Sequence, residues 1–168
     1  MTNFVRALRA RIDALSLSIP IVLFPGNASQ FTPEADALLY LSLLSGRNPE
    51  MLVGQQVIAA QAVRKSGIET IPMGYILIDG GVETSVMRVS GTTPIPNDDI
   101  STIVATSIAA ELMGKKVIYL EAGSGAKVPI SSEIIAAVRA AVSIPIIVGG
   151  GIRTPQQMRD AYEAGANI

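Results

Sequence analysis

Apolar positions recur along this chain at two spacings. Val5, Leu8, Ile12 and Leu15 lie three and four residues apart, the period of one helix face. Pro20 then precedes a short unbroken apolar run, 21–24, stopped by Pro25-Gly26, and a second run follows over 37–44. Asn48-Pro49 opens a segment with helical spacing that reaches about Lys65 and closes at Gly67. Residues 69–78 read as a strand ended by Gly80-Gly81. The polar stretch 82–99, with Thr92-Thr93-Pro94-Ile95-Pro96, predicts a hairpin or loop. A helix is expected over 100–113 before Gly114, a strand over 116–120, a helix from Ser131 to about Val142 and a strand over 145–148. Thr154-Pro155-Gln156-Gln157 reads as a capping box with proline at the first helical position, and that helix ends at Gly165.

Strand, glycine turn, helix, strand is the rhythm of a parallel sheet covered by helices. Its strands are continuous apolar runs, as burial of both faces demands. The expected fold class is α/β, of the (β/α)8 TIM-barrel type, in one partial domain over 1–168. Five strands and five helices are counted, whereas a closed barrel uses eight of each and typically about 250 residues. The sequence also stops at Ala166-Asn167-Ile168, where another strand should begin. The expectation is therefore a truncated barrel.

Composition narrows the chemistry. Charged residues make up 16% of the chain and hydrophobic ones 49%, so a large core or a partner-facing apolar surface is expected. Lys and Arg do not cluster, which argues against nucleic acid. The chain has no cysteine and no histidine. Thiolate chemistry is excluded, and acid–base work falls to Asp, Glu, Tyr or Lys. Any metal would be a hard ion held by oxygens, Mg²⁺ first. No signal peptide and no membrane-spanning run is read from the sequence, so the expected location is the cytoplasm.

In parallel α/β sheets ligands sit at the carboxyl ends of the strands. Four strand ends carry unusual residues. Gly149-Gly150-Gly151 exposes backbone amides just before a helix, a phosphate cradle in which a plain tight turn would need only one or two glycines. In Tyr119-Leu120-Glu121, alternation puts Tyr119 and Glu121 on the lumen face and Leu120 toward the helices. Glu121 is then a candidate base for a substrate hydroxyl, the alternative being a buried salt bridge. The polar loop from Pro25 to Gln30 either binds a diphosphate or turns the chain. Gly74, beside Tyr75, leaves space either for a long apolar ligand or for ordinary barrel packing.

Taken in order, these segments resemble the geranylgeranylglyceryl phosphate synthase family, whose bacterial members include PcrB-type heptaprenylglyceryl phosphate synthases. The matching stretches are Ile21 to Gln30, Ser42 to Pro49, Ile71 to Ile76, Tyr119-Leu120-Glu121-Ala122-Gly123-Ser124-Gly125 and Ile147 to Arg153. The resemblance implies transfer of a prenyl group from a prenyl diphosphate to the 3-hydroxyl of sn-glycerol 1-phosphate. It implies that Tyr119 and Glu121 hold the glycerol hydroxyls, Glu121 as base. Gly123, Ser124, Gly125, Gly149, Gly150 and Gly151 would line the glycerol phosphate site. Asn27, Ser29, Arg47, Asn48 and Tyr75 would line the prenyl diphosphate groove.

The family's Asp-rich strand end that holds Mg²⁺ has no counterpart here, nor does its second strand or its last. The main Mg²⁺ ligand is therefore expected in a segment before Met1, with no metal ligand inside this sequence. The expected partners are the two substrates, a second copy of the chain and, for a lipid substrate, a membrane surface. Two other readings stay open: a phosphoribosyl isomerase of the same barrel type, and a truncated barrel without catalysis.

Overall fold

The computed structural model describes residues 1–168, which divide into two compact units, 1–40 with 53–71 and 41–52 with 72–168. The strands are β1 Val22–Leu23, β2 Ala37–Leu43, β3 Glu69–Leu77, β4 Val117–Glu121 and β5 Ile146–Gly149. The helices are α1 Thr2–Ala14, α2 Gln55–Ser66, α3 Ser85–Ser90, α4 Ile100–Leu112, α5 Ser132–Ala141 and α6 Pro155–Glu163. The sheet runs in chain order, β1-β2-β3-β4-β5, with parallel pairing of β1 with β2, β3 with β4 and β4 with β5. This is the α/β, parallel-sheet class expected from the alternating runs.

In the first unit, Val5, Ile21, Leu23, Ala35, Leu38 and Val63 form a small core. The helical face read from the sequence is only half used. Val5 is buried and Ile12 packs against the core, but Leu8 and Leu15 are 38% and 54% exposed. Arg6 pairs with Glu34, and Arg9 with Asp36, tying α1 to the turn before β2.

The second unit holds the larger core. Register pairs Tyr75 with Tyr119 and Ile147, and Leu77 with Glu121 and Gly149. One face of these strands therefore carries Tyr75, Leu77, Tyr119, Glu121, Ile147 and Gly149. The other carries Ile76, Ile118, Leu120, Ile146 and Val148, buried with Ile103 and Ala110 of α4 and Ile134, Ile135 and Val138 of α5. Leu120 thus meets the helices, as alternation along the strand predicts. A Cβ on Gly74 would come within 2.8 Å of Ala110 and 3.0 Å of Leu44. Its small size serves close packing of β3 against α4, which decides between the two roles open for it.

The stretch 82–99 differs from the hairpin or loop expected. It contains α3, capped by Thr84, whose hydroxyl accepts from the Met87 N–H at 3.3 Å while the Met87 sulfur accepts from the Thr84 N–H. The segment opened by Asn48 starts with a wide π turn, Glu50–Gly54, before α2 begins. The caps at Ser131 and Thr154 form as read, each side chain accepting an N–H in the first turn of its helix. After α6 the chain returns beside β5. Asn167 N–H donates to Ile146 O at 2.8 Å, and Val148 N–H donates to Ile168 O at 2.9 Å.

Candidate active site

β4 ends on Glu121 because the apolar run Val117 to Leu120 stops there, and the glycine-rich turn after it can fold back over the carboxyl group. Glu121 is 8% exposed. Its Oε1 accepts the N–H of Gly123 at 2.6 Å. Gly123 takes φ +97°, the left-handed region, so this fold-back favours glycine. A side chain there would run into Thr84, a buried residue at the start of α3.

Tyr75 and Tyr119 complete the cluster. Their rings stack, with centroids 5.4 Å apart and planes 21° from parallel. Both phenols lie close enough to act on the Glu121 carboxyl group. The carboxyl group therefore accepts one backbone amide and has two phenols as neighbours. No ion pair holds it, since both ion pairs of the chain lie in the first unit. The salt-bridge alternative for Glu121 is thus replaced by neutral surroundings, one amide and two phenols.

The electrostatics follow from this burial. Desolvation raises the Glu121 pKa above the ordinary carboxylate value, and the Gly123 amide and the neighbouring phenols partly offset it. Burial, then the Glu121 charge, pushes the Tyr119 phenol up to about 12. Burial and the same charge push Tyr75 higher still. Both phenols stay protonated donors at neutral pH, and the carboxylate is the group poised to exchange a proton.

The triple glycine sits against this cluster. A Cβ on Gly149 would strike the Tyr119 hydroxyl. One on Gly150 would lie 2.7 Å from Glu121 Oε1 and from the N and O of Gly123. Gly150 and Gly151 also have φ +85° and +74°. Two of the three glycines thus make room for the tyrosine and the carboxylate. Around them, no protein acceptor takes the amide hydrogens of Ser124, Gly125, Gly150 and Gly151. Such a set of undersupplied N–H groups is what an anion needs. Arg153, to which sequence reasoning gave no role, spans the two loops by donating from Nη2 to Ala126 O at 2.7 Å. Its place in the triple-glycine segment was the available signal.

The structure brings Tyr75, Tyr119, Glu121, Gly123, Gly149 and Gly150 together, with Ser124 and Gly125 on the exposed turn beyond them. Arg47 and Asn48 form a different group. Arg47 Nη1 donates to the carbonyls of Leu44 and Gly46, at 3.2 and 2.9 Å. Asn48 Nδ2 donates to Ser90 O at 2.7 Å. Arg47 also lines an open cleft with Leu44, Leu52, Ala105, Ala109 and Met113. Asn27 and Ser29 lie in the first unit, where Asn27 Oδ1 accepts from both the N–H and the hydroxyl of Ser29. No three acidic side chains converge in a group that could hold a metal ion, so the residues present do not fit a Mg²⁺ site.

Residues 3–168 match the model of the PcrB family. A protein named geranylgeranylglyceryl phosphate synthase from Chitinophaga pinensis is 54% identical over 150 residues, covering 89% of this chain and 60% of its own. One of the same name from Korarchaeum cryptofilum is 44% identical over 164 residues, covering 94% of this chain and 67% of its own. Among solved structures, (S)-3-O-geranylgeranylglyceryl phosphate synthase from Thermoplasma acidophilum, in complex with sn-glycerol-1-phosphate, superposes with a TM-score of 0.89 at 37% identity. That match covers 97% of this chain and 63% of the other. The chain thus spans about 60% of the length of several relatives it matches. No helix is long and apolar enough to cross a membrane.

Proposed function

From the premise that this chain belongs to the PcrB family, we propose that it carries the glycerol phosphate site of a prenyltransferase. The reaction is transfer of a prenyl group from a prenyl diphosphate to the 3-hydroxyl of sn-glycerol 1-phosphate. Its five strands are then five of the eight of a (β/α)8 barrel. The single observation that carries the reading is the buried Glu121, held by the Gly123 amide beside four amides that lack an acceptor.

In this mechanism the amides of Ser124, Gly125, Gly150 and Gly151 bind the phosphate of the alcohol, as aligned backbone dipoles favour an anion. Tyr119 and Glu121 hold the glycerol hydroxyls. The 3-hydroxyl oxygen bonds to the first carbon of the prenyl chain as the bond from that carbon to diphosphate breaks. The hydroxyl proton passes to Glu121, and diphosphate leaves with the bonding pair. A carboxylate whose pKa is raised is the better base for this step. The apolar cleft from Leu44 and Leu52 to Ala109 and Met113 supports a place for the prenyl chain, with Arg47 and Asn48 at its loop. Asn27 and Ser29 are assigned to the diphosphate end. Mg²⁺ remains part of the proposal as the ion that neutralises diphosphate, but no step is derived through it, because the acidic residues here do not fit it.

The phosphoribosyl isomerase reading draws no support, since no second carboxylate acts on Glu121 to make an acid–base pair. The test is incubation of the protein with sn-glycerol 1-phosphate, a labelled geranylgeranyl diphosphate and Mg²⁺. Formation of the ether product with release of diphosphate supports the reading. Binding of sn-glycerol 1-phosphate without turnover reduces it to a binding module, and no binding overturns it.

A further inference from the structure

Arg153 is an exposed residue to which the proposed reaction gives no task, yet both of its ends are fixed. Its backbone N–H donates to Gln157 Oε1 at 2.7 Å, inside the capping box that opens α6. Its Nη2 donates to Ala126 O at 2.7 Å. The side chain is therefore a strut from the first turn of α6 to the turn after β4. A bond from a guanidinium to a carbonyl is charge-assisted, stronger than one between neutral groups.

The far end of the strut closes the turn that carries two of the free amides. Ala126 N–H donates to Gly123 O at 3.0 Å, which closes Gly123-Ser124-Gly125-Ala126. The Ala126 carbonyl is the one held by Arg153, so both backbone groups of this residue are used. Its side chain is fully buried between two loops. A Cβ on Gly80 would come within 2.6 Å of the Ala126 methyl, and one on Gly151 within 3.3 Å. On the β3 side the chain is tied by backbone, since the N–H groups of Lys127 and Val128 donate to Gly80 O at 2.9 and 3.2 Å. On the β5 side the last strand bond is Ala122 N–H to Gly149 O at 2.9 Å, and past it the turn is tied by Arg153.

We propose that Arg153 is a positioning residue of the phosphate cradle: it holds the turn with the Ser124 and Gly125 amides against the loop with the Gly150 and Gly151 amides. This rests on the reading of those four amides as the phosphate site. Arg153 touches no reacting atom in it. Without the strut the turn keeps its own closing bond but loses its tie to α6, so the two pairs of amides no longer share one fixed geometry. Preorganised donors bind an anion without first being ordered, and that advantage is what the strut supplies.

Amide hydrogen exchange by NMR on the ligand-free protein and calorimetry with inorganic phosphate test this together. Arg153→Ala is expected to speed exchange of the Ala126 amide about 10-fold and to weaken phosphate binding about as much. Gln157→Ala leaves the guanidinium in place and frees its backbone anchor. It should move both readouts the same way by less, and it serves if Arg153→Ala folds poorly. In transfer assays KM for sn-glycerol 1-phosphate should rise with the loss of phosphate affinity, while kcat and KM for the prenyl diphosphate stay unchanged. Weaker phosphate binding with Ala126 exchange unmoved overturns the proposal, because Arg153 would then act as a charge on the ligand. Faster exchange with phosphate affinity unmoved overturns it too, because the strut would then be structural alone. If exchange moves but wild type binds neither phosphate nor sn-glycerol 1-phosphate, the strut stands and the reading of the four amides fails.

Discussion

The two faces of strands β3 to β5 are built from alternate residues of the same few segments, and they are held by different forces. The face toward α4 and α5 is Ile76, Ile118, Leu120, Ile146 and Val148, all buried against other aliphatic side chains. It has no polar side chain to satisfy and is stabilised by burial and close packing. The opposite face puts Tyr75, Tyr119 and Glu121 side by side and then removes side chains altogether at Gly149 to Gly151. Its buried carboxylate is held by the Gly123 amide, and its two tyrosine rings stack on one another. The comparison teaches where a sheet of this kind keeps stability and where it keeps chemistry. One residue step along the strand moves from one to the other.

The largest effect expected from breaking this contrast is on the polar face. Glu121→Gln removes the base while keeping shape, and prenyl transfer should fall about 10²–10⁴-fold in a steady-state assay. Thermal unfolding should show the protein still folded. One position earlier, the consequence reverses. Leu120→Ala opens a cavity among side chains that are fully buried, and urea denaturation should report a loss of about 2–5 kcal/mol. If Leu120→Ala impaired transfer more than stability, the division between the faces would be wrong.

Gly150→Ala is a smaller perturbation that falls on both counts. Its φ of +85° costs a side chain about 1–2 kcal/mol, and its new methyl would press on Glu121 Oε1 and Gly123. Weaker sn-glycerol 1-phosphate binding by calorimetry should accompany the loss.

A pH series sharpens the same point. Glu121 binds its proton more tightly in the folded protein than at its ordinary value of 4.5. Between 4.5 and the raised folded value, folding takes up a proton, so stability falls as pH rises through that window. The slope cannot exceed about 1.4 kcal/mol per pH unit, and Glu121→Gln should flatten it. The smallest effect is at the edge of the site. Thr154→Ala removes the cap of α6 and should cost about 1 kcal/mol, with transfer little changed.

Much of this arrangement was legible because it depends on local pattern. Period-two alternation placed Tyr119 and Glu121 together and turned Leu120 to the helices. Unbroken apolar runs marked β2 to β5, and short polar signals marked the caps at Ser131 and Thr154. Other features depend on partners distant in sequence. Tyr75 joins Glu121 only through the register of β3 on β4, which no pattern in β3 alone specifies. Its one visible signal was a tyrosine in the apolar half of the strand, 71–77. Helix α3 was missed because Gly80-Gly81 and the prolines at 94 and 96 dominate the segment, and because its N3 residue is Met87, where a capping box normally carries Glu or Gln. The π turn at Glu50–Gly54 leaves no mark in apolar spacing that separates it from ordinary helix.

Calorimetric titration of wild type and Glu121→Gln with sn-glycerol 1-phosphate, with inorganic phosphate as the reference ligand, reaches the centre of this account. Wild type should bind the glycerol phosphate more tightly than phosphate, and Glu121→Gln should lose much of that preference while binding phosphate as wild type does. Equal affinity of both proteins for sn-glycerol 1-phosphate would contradict it, because the carboxylate would then hold no part of the alcohol.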